Sequence, residues 1–134
     1  MRECVKIVWM FVALLVLLAC SNMDSDLEKK WRLIQYQYAD GHVKKEGRVF
    51  YNFQKGSFSA ICIVEDGAYQ TFFGTYSLKG DEISIILLPE SVGENYYDDF
   101  LAWPDGQRTF KICQLTSSTL CLGYEEEQLL FREY

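Results

Sequence analysis

The sequence has little of what catalysis by side chains requires. Its single histidine, His42, lies in YADGHVK, a segment with the composition of a turn. No cysteine pair has zinc-ligand spacing, and no phosphate-binding glycine loop, G-x-S-x-G or H-E-x-x-H motif occurs. A histidine without a partner is a poor general base. The sequence therefore predicts a protein that is not an enzyme, with no catalytic residue, no metal site and no cofactor, and with His42 in solvent.

Positive charge is also scarce. The chain has 13 Lys and Arg against 19 Asp and Glu, a formal net charge of −6. An acidic chain repels polyanions, so nucleic acids and anionic lipid surfaces are poor candidate partners. The acids Asp98, Asp99 and Asp105 fall in one loop but lack the order of an EF-hand, and we expect them to face solvent.

No apolar run is long enough for a membrane-spanning helix. The longest, Ile7 to Cys20, has 14 uncharged residues, whereas a span needs about 20. The cations Arg2 and Lys6 precede it and polar residues follow it. This order is typical of a secretory signal peptide.

The end of that run, LLAC at 17–20, resembles the lipobox of bacterial lipoprotein signal peptides. The resemblance implies cleavage before Cys20, a diacylglyceryl thioether on its sulfur and an acylated amine, which together form a stable membrane anchor. The alternative is a plain cleaved signal with a chance cysteine. The lipoprotein interpretation divides the chain into a signal peptide (1–19), a lipidated tether with a short helix (20–30) and one domain (31–134). It predicts the cell envelope, at the outer membrane. The acidic SNMDSD that follows resembles export signals of some lipoproteins and extends the expectation to surface display.

Three further cysteines follow Cys20, namely Cys62, Cys113 and Cys121. An odd number leaves at least one of them a free thiol. Cys113 and Cys121 flank the turn LTSST, and they face each other on adjacent strands if this turn places Leu115 opposite Thr119. We expect them either to form a disulfide or to pack as small apolar residues, since a directly cross-strand disulfide is strained unless it is suitably placed.

Helical signals are almost absent. Ser25 and Glu28 have capping-box spacing and predict about one helical turn. Apolar residues then alternate with a period of two, and they predict eight short strands. The strands are WRLIQYQY, RVFYNF, FSAICIV, YQTFFGTYSL, EISIILL, RTFKICQL, TLCLGY and QLLFRE. Only the connection from Pro89 to Gln107 is long, which favours consecutive hairpins. We predict an all-β, eight-stranded antiparallel up-and-down barrel with a short N-terminal helical turn.

The segments KKWRLI, YNFQKGSFS, FGTYSLKGDEISI, FKICQLTSSTLCLGY and LLFREY together resemble the small lipocalin-like domains of bacterial lipoproteins, over about residues 27–134. The resemblance implies that Trp31 plugs the barrel floor beneath a basic side chain from the last strand, for which Arg132 is the candidate. Lys29 takes the glycine position of the lipocalin Gly-x-Trp signature, so only Trp31 matches it.

A meander places alternate connections at opposite ends of the barrel. The turns QKGS, KGD and TSS share one end with the start of the first strand, and we expect the helical turn to close that end. The other end has the longer loops, where binding usually resides. Its long connection is rich in apolar side chains, namely Tyr96, Tyr97, Phe100, Leu101 and Trp103. We interpret this segment as a lid or partner-binding patch, or alternatively as a satellite core beneath the loop.

Strict alternation points Gln35 and Gln37 inward near the open end, where their amides would orient a ligand. Alternatively, a bulge turns Tyr36 or Tyr38 inward. Small eight-stranded barrels can be filled by their own side chains, so an open cavity and a solid interior both remain possible. The candidate ligand-binding residues are Gln35, Gln37, Tyr51, Phe72, Tyr76, Tyr96, Tyr97 and Trp103.

These observations predict a lipid-anchored envelope lipoprotein that binds a small apolar or amphipathic molecule at the loop-rich end of its barrel. Its partners would be the membrane, through Cys20, and that ligand. The alternative is a protein-interaction or inhibitor module with a filled barrel. An open cavity favours the first function, and a solid interior favours the second.

Overall fold

The computed structural model describes residues 25–64, 67–89, 101 and 103–134. The predicted signal peptide, Cys20, Tyr96 and Tyr97 lie outside these residues. A helical turn at residues 25–27 confirms the one predicted from the capping-box spacing. The described residues then form nine strands: β1 (Lys30–Gln37), β2 (Val43–Lys45), β3 (Val49–Gln54), β4 (Ser57–Ile63), β5 (Tyr69–Lys79), β6 (Glu82–Leu87), β7 (Gln107–Leu115), β8 (Thr119–Tyr124) and β9 (Glu127–Glu133).

The strands form one closed antiparallel barrel. From β3 to β9 each strand pairs with the next, and β9 pairs back with β1. Strands β2 and β3 pair with opposite halves of β1, so they share one position. The barrel therefore has eight strand positions, and the predicted eight-stranded up-and-down barrel is confirmed. The short strand β2 was not predicted.

The break between β2 and β3 has a local cause. The backbone N–H of Glu46 donates to Ile34 O at 2.9 Å. The side-chain Oε1 of Glu46 then accepts the N–H groups of Gly47 and Arg48 at 3.0 and 3.2 Å. A side chain that satisfies these amides replaces ladder hydrogen bonds, so the chain leaves β1 briefly before β3 begins.

The connections lie as the meander predicts. Those after β3, β5 and β7 share one end with the start of β1 and the C-terminus, and we call it the closed end. The opposite end, the open end, carries the described residues 38–42, 64, 67–68, 88–89, 101, 103–106 and 125–126. Since β1 begins at the closed end, the open end lies away from the helical turn at residues 25–27.

Side chains close the barrel at the closed end. Trp31 is fully buried, and its Nε1 donates to Leu27 O of the helical turn at 3.0 Å. Lys29 places its Nζ 5.4 Å from the centre of the Trp31 ring. The same ammonium donates to Ser117 O at 2.8 Å and lies 3.8 Å from Glu133 Oε1. Trp31 is therefore the barrel floor, and a cation does lie over it.

That cation is not the predicted one. Arg132 is exposed and pairs with Arg32 across the β1–β9 ladder. Its neighbour Phe131 is fully buried, and successive side chains of a strand point to opposite faces. Arg132 therefore lies on the outer face, and the prediction that it covers Trp31 is wrong.

Aromatic rings fill the middle of the barrel. Tyr51 is buried near the centre, and five rings lie within 6.4 Å of it, measured between ring centroids: Phe53, Phe58, Trp103, Phe110 and Phe131. Edge-on and tilted arrangements dominate, as aromatic quadrupoles favour. These rings fill the middle of the barrel with side chains, and the cavity described below lies above them, towards the open end.

Candidate functional site

A cavity of about 510 Å³ lies at the open end of the barrel. Apolar side chains form its lower wall: Leu33, Val49, Leu101, Trp103, Phe110 and Leu129. Tyrosines and charged side chains line the rest: Tyr36, Tyr38, Tyr51, Tyr124, Lys44, Glu46, Arg108 and Glu127. A concave site with an apolar floor and a few convergent polar groups is the usual form of a small-molecule site.

A bulge in β1 brings its tyrosines to this cavity. Leu33 pairs with Phe131, but Gln35 pairs with Leu130, so the register shifts by one residue. A bulge of this kind leaves two residues opposite one and reverses the alternation beyond it. Tyr36 therefore points inward.

The predicted inward positions of Gln35 and Gln37 are consequently wrong. Both glutamines lie on the outward phase of β1, and neither lines the cavity. The alternative prediction was a bulge that turns Tyr36 or Tyr38 inward. The bulge is present, and both tyrosines line the cavity. The sequence contained both interpretations, since glutamine and tyrosine are both tolerated on either face of an open barrel end.

Tyr36 links the neighbouring strands β1 and β9 at the mouth of the cavity. Its hydroxyl donates to Glu127 Oε2, at the start of β9. Burial is the main cause that raises the pKa of Tyr36 above its ordinary value, and the hydrogen bond to Glu127 raises it further. The Tyr36 ring also lies 4.8 Å from that of Tyr38, between centroids. Tyr36 is therefore a neutral hydrogen-bond donor at neutral pH.

Arg108 places a positive charge against the aromatic wall of the cavity. Its guanidinium carbon lies 3.7 Å from the centre of the Tyr124 ring and 5.8 Å from that of Trp103. Burial raises the pKa of Tyr51, and the charge of Arg108 opposes that rise. Arg108 is thus held on aromatic faces within electrostatic reach of the Tyr51 hydroxyl. A planar guanidinium carries five N–H donors and can engage several acceptors at once.

Lys44 and Glu46 form a pair of opposite charges at the outer rim of the cavity. Lys44 Nζ and Glu46 Oε2 are 3.9 Å apart, and the lysine is largely exposed. Exposed pairs of this type contribute little to stability. The cavity therefore has two cations and two carboxylates in its lining, with one of each sign paired at the rim.

Trp103 forms the floor of the cavity. The residues WPDG make a tight turn in which Gly106 N–H donates to Trp103 O at 2.9 Å, with Gly106 at a φ of +68°. Leu87 N–H then donates to Gly106 O at 2.8 Å and ties the turn to the end of β6. Trp103 is 1% exposed and stacks 6.1 Å from Phe58, between centroids.

Two interpretations of the long connection can now be separated for this residue. Trp103 packs inside the barrel, so the satellite-core alternative is correct for it and a surface lid is not. Because Trp103 also lines the cavity, its role as a candidate contact residue stands. The predicted roles of Tyr96 and Tyr97 fall outside the described residues.

The remaining candidates lie elsewhere. Tyr51 lines the cavity as predicted. Phe72 is fully buried in the core and does not line the cavity, and Tyr76 packs 5.1 Å from Phe53 towards the closed end. Sequence reasoning missed Lys44, Glu46, Arg108, Tyr124 and Glu127. Arg108 carried a signal, since it shares its phase with the inward residues Phe110 and Ile112.

The cysteine register differs from the prediction. Leu115 pairs with Leu120, and Cys121 pairs with Gln114, because a bulge leaves Cys113 without a ladder partner. The predicted direct facing of Cys113 and Cys121 is therefore wrong. All three cysteines of the described residues are free thiols. Burial raises the pKa of Cys62 to about 12 and that of Cys121 to about 11.

The described part of the chain gives little support for a metal site, a catalytic histidine or a membrane-spanning helix. No group of three or more histidine, cysteine, aspartate or glutamate side chains is placed to hold a metal ion there. His42 is exposed and contacts Tyr38 edge-on at 5.3 Å between centroids. Among the same residues no helix has the length and apolar character to cross a membrane.

A closed meander of eight strand positions with a cavity at one end is the architecture of a lipocalin-like barrel. The sequence profile of the lipocalin-like domain family matches residues 14–134, and this chain belongs to that family. The resemblance predicted from the sequence is confirmed. Proteins of this family are typically binding proteins rather than enzymes.

Two solved structures are similar to this chain. A lipocalin-like protein from Bacteroides uniformis ATCC 8492 is 60% identical, with a TM-score of 0.77, and the match covers 81% of this chain and 99% of that one. An uncharacterized protein from Bacteroides eggerthii DSM 20697 is 42% identical, with a TM-score of 0.73 and the same coverage. No curated protein sequence matches this chain.

Proposed function

We propose that this protein is a lipid-anchored envelope protein, not an enzyme, that binds a small apolar or amphipathic molecule in the cavity at the open end. The observation that carries the proposal is the cavity of about 510 Å³ with an apolar floor and a polar rim. Its volume lies within the range of roughly 300–1,000 Å³ of small-molecule sites. The lipocalin-like family is consistent with such a role.

The division of the cavity suggests how a ligand would lie. The apolar part of the molecule would pack against Leu33, Leu129 and Trp103, where it displaces water from apolar surface. Each square ångström of apolar area that leaves water contributes roughly 25 cal/mol. A polar group would remain near Arg108, whose guanidinium carries several N–H donors, and near Tyr36, whose hydroxyl oxygen can accept a hydrogen bond.

The proposed anchor is compatible with this orientation. The lipobox-like LLAC ends at Cys20, ten residues before β1 begins at the closed end. Acyl chains on Cys20 would hold the closed end towards the membrane and leave the cavity mouth facing away. We propose the outer membrane, with surface display, as the location, and no nucleic acid among the partners. Incorporation of labelled palmitate that persists in a Cys20→Ser variant would overturn the anchor.

Native mass spectrometry of the protein purified from its own host tests for a bound ligand without assuming its identity. The chain should carry a non-covalent mass of a few hundred daltons that is lost on unfolding. The delipidated protein, freed of its acyl chains, separates such a ligand from the covalent anchor. A mass that survives unfolding is covalent and does not support the proposal.

A protein-interaction role is the second candidate. The outer face of β5 and β6 exposes large apolar side chains, with Tyr69 at 71% and Ile86 at 48% exposure. Scattered apolar residues are ordinary on a surface, and a contiguous patch is the better sign of an interface. An Ile86→Lys variant that loses a co-purifying protein while it keeps the small molecule would favour this role.

A further inference from the structure

The bulge in β7 places a cysteine where the ladder has no partner for it. Ile112 pairs with Leu122, Gln114 pairs with Cys121, and Cys113 lies between them as the extra residue. A bulge re-aims the side chain of its extra residue. Cys113 therefore does not stand directly opposite a residue of β8, and the strain expected of a directly cross-strand bond does not apply to it.

Cys113 and Cys121 share the outer face of the barrel. Leu120 and Leu122 are fully buried, so Cys121 between them points outward. Cys113 is exposed and follows the inward Ile112. Cys62, by contrast, points into the interior between β3 and β5. The sheet itself separates Cys62 from the other two thiols.

A glycine makes room for the Cys113 side chain. A Cβ atom at Gly123 would lie 3.0 Å from Cys113 Sγ, a contact tighter than ordinary packing. The sulfur therefore extends over β8 at Gly123. Cys121 lies near that glycine on the same strand, and Cys113, after burial, adds to the rise of the Cys121 pKa. Each sulfur otherwise has only a weak contact, Cys113 with Lys111 O at 3.7 Å and Cys121 with Gln128 Oε1 at 4.0 Å.

We propose that Cys113 and Cys121 are a dithiol site that closes to a disulfide across the β7 bulge, with Cys62 remaining a thiol. The oxidant is a disulfide, either a small one such as oxidised glutathione or the active-site disulfide of an oxidoreductase. The Cys113 thiolate attacks one sulfur of the oxidant, and the other sulfur leaves as a thiolate. The Cys121 thiolate then attacks Cys113 Sγ and displaces the second thiol. Two protons leave the protein, and the two electrons reduce the oxidant.

The bond would act on one wall of the cavity. Strands β7 and β8 carry Arg108 and Tyr124, which stack on each other at the mouth. A covalent link between the same two strands restricts their separation. The oxidised protein should therefore melt several degrees higher than the reduced protein, since a cross-link lowers the entropy of the unfolded chain.

The sequence allows a sharp test by peptide mapping. The full chain is reduced, incubated with oxidised glutathione under native conditions, alkylated and digested with trypsin. One tryptic peptide, residues 112–132, contains both Cys113 and Cys121, whereas Cys62 lies in the peptide 56–79. We expect peptide 112–132 to lose two hydrogens and take up no alkylating group, and peptide 56–79 to carry one alkylating group on Cys62, as a thiol that was not oxidised does.

Three results would overturn the proposal. The first is alkylation of both thiols of peptide 112–132 after the incubation. The second is glutathione left on Cys113, which would show that Cys121 cannot reach it. The third is a cross-link between the two peptides. A Cys62→Ser variant serves as the control and should form the bond as the wild-type chain does, and a Cys121→Ser variant should stop at the glutathione adduct.

Discussion

The guanidinium carbon of Arg108 lies 3.7 Å above the ring of Tyr124, and this contact joins the start of β7 to the end of β8 at the cavity mouth. Cation–π contacts contribute about 0.5–2 kcal/mol, more when they are desolvated. We expect a double-mutant cycle with Arg108→Gln and Tyr124→Leu to give a coupling free energy of this size in chemical unfolding. Strictly additive changes would show that the two side chains do not stabilise each other.

Trp103 should behave as a core residue although it lies in a connection. Aromatic-to-alanine changes in a core cost about 3–5 kcal/mol of unfolding free energy, and Trp103 is 1% exposed. We expect Trp103→Ala to lower stability by that amount, with Trp103→Phe less severe. Tyr69→Ala is the matched control, because Tyr69 is 71% exposed and should change stability by roughly 0.5 kcal/mol or less. Equal effects of the two alanine variants would contradict the placement of Trp103.

The bulge in β1 makes opposite predictions for two neighbouring residues. Tyr36→Phe removes the hydrogen bond to Glu127, and bonds to charged groups contribute about 1.5–3 kcal/mol. Because Tyr36 and Glu127 are partly exposed, we expect the loss of unfolding free energy to lie near the lower end of this range. Gln35→Ala, on the outward phase, should have little effect on stability. A larger loss for Gln35→Ala than for Tyr36→Phe, measured by urea unfolding, would contradict the register.

Stability should fall at alkaline pH. The folded-state pKa values of Tyr36 and Tyr51 are both raised above the ordinary value of 10.0 mainly by burial. Because the folded-state pKa is raised, the contribution of each phenol to the unfolding free energy is fully present below pH 10. It is lost as the pH rises above that value. We expect the unfolding free energy to decline above pH 10, and less steeply in a Tyr36→Phe, Tyr51→Phe double variant. An unchanged slope in that variant would exclude these two phenols as the cause.

Much of the fold was predictable because period-two alternation is a direct record of burial. The inward residues of β6, Ile83, Ile85 and Leu87, follow the alternation without exception. The turn at WPDG was predictable for a similar local reason, since proline and glycine fix its backbone.

The two bulges were not predictable with the same certainty. Each inserts one residue, Ile34 in β1 and Cys113 in β7, without a local sequence signature. Every residue beyond a bulge changes face, so the prediction for Gln35 in β1 failed. Tyr51 lies in β3, where no bulge interrupts the pairing with β4, and its predicted inward position held. The interior path of Trp103 also depends on contacts far away in sequence. These tertiary effects decide the cavity lining, which is why the site was only partly predicted.

The central claim is that the open-end cavity binds a small apolar or amphipathic molecule, and a cavity-filling variant tests it most directly. The measurement is a fluorescence titration with the neutral apolar probe N-phenyl-1-naphthylamine. Val49 lines the cavity, so Val49→Trp should fill it and weaken probe binding at least tenfold. Ile63→Trp places the same side chain on the outer face, at a site 36% exposed, and should bind the probe as the wild-type barrel does. Saturable binding by the wild-type chain that is lost only in Val49→Trp is the predicted result. No saturable binding by the wild-type chain, or equal binding by both variants, would contradict the account.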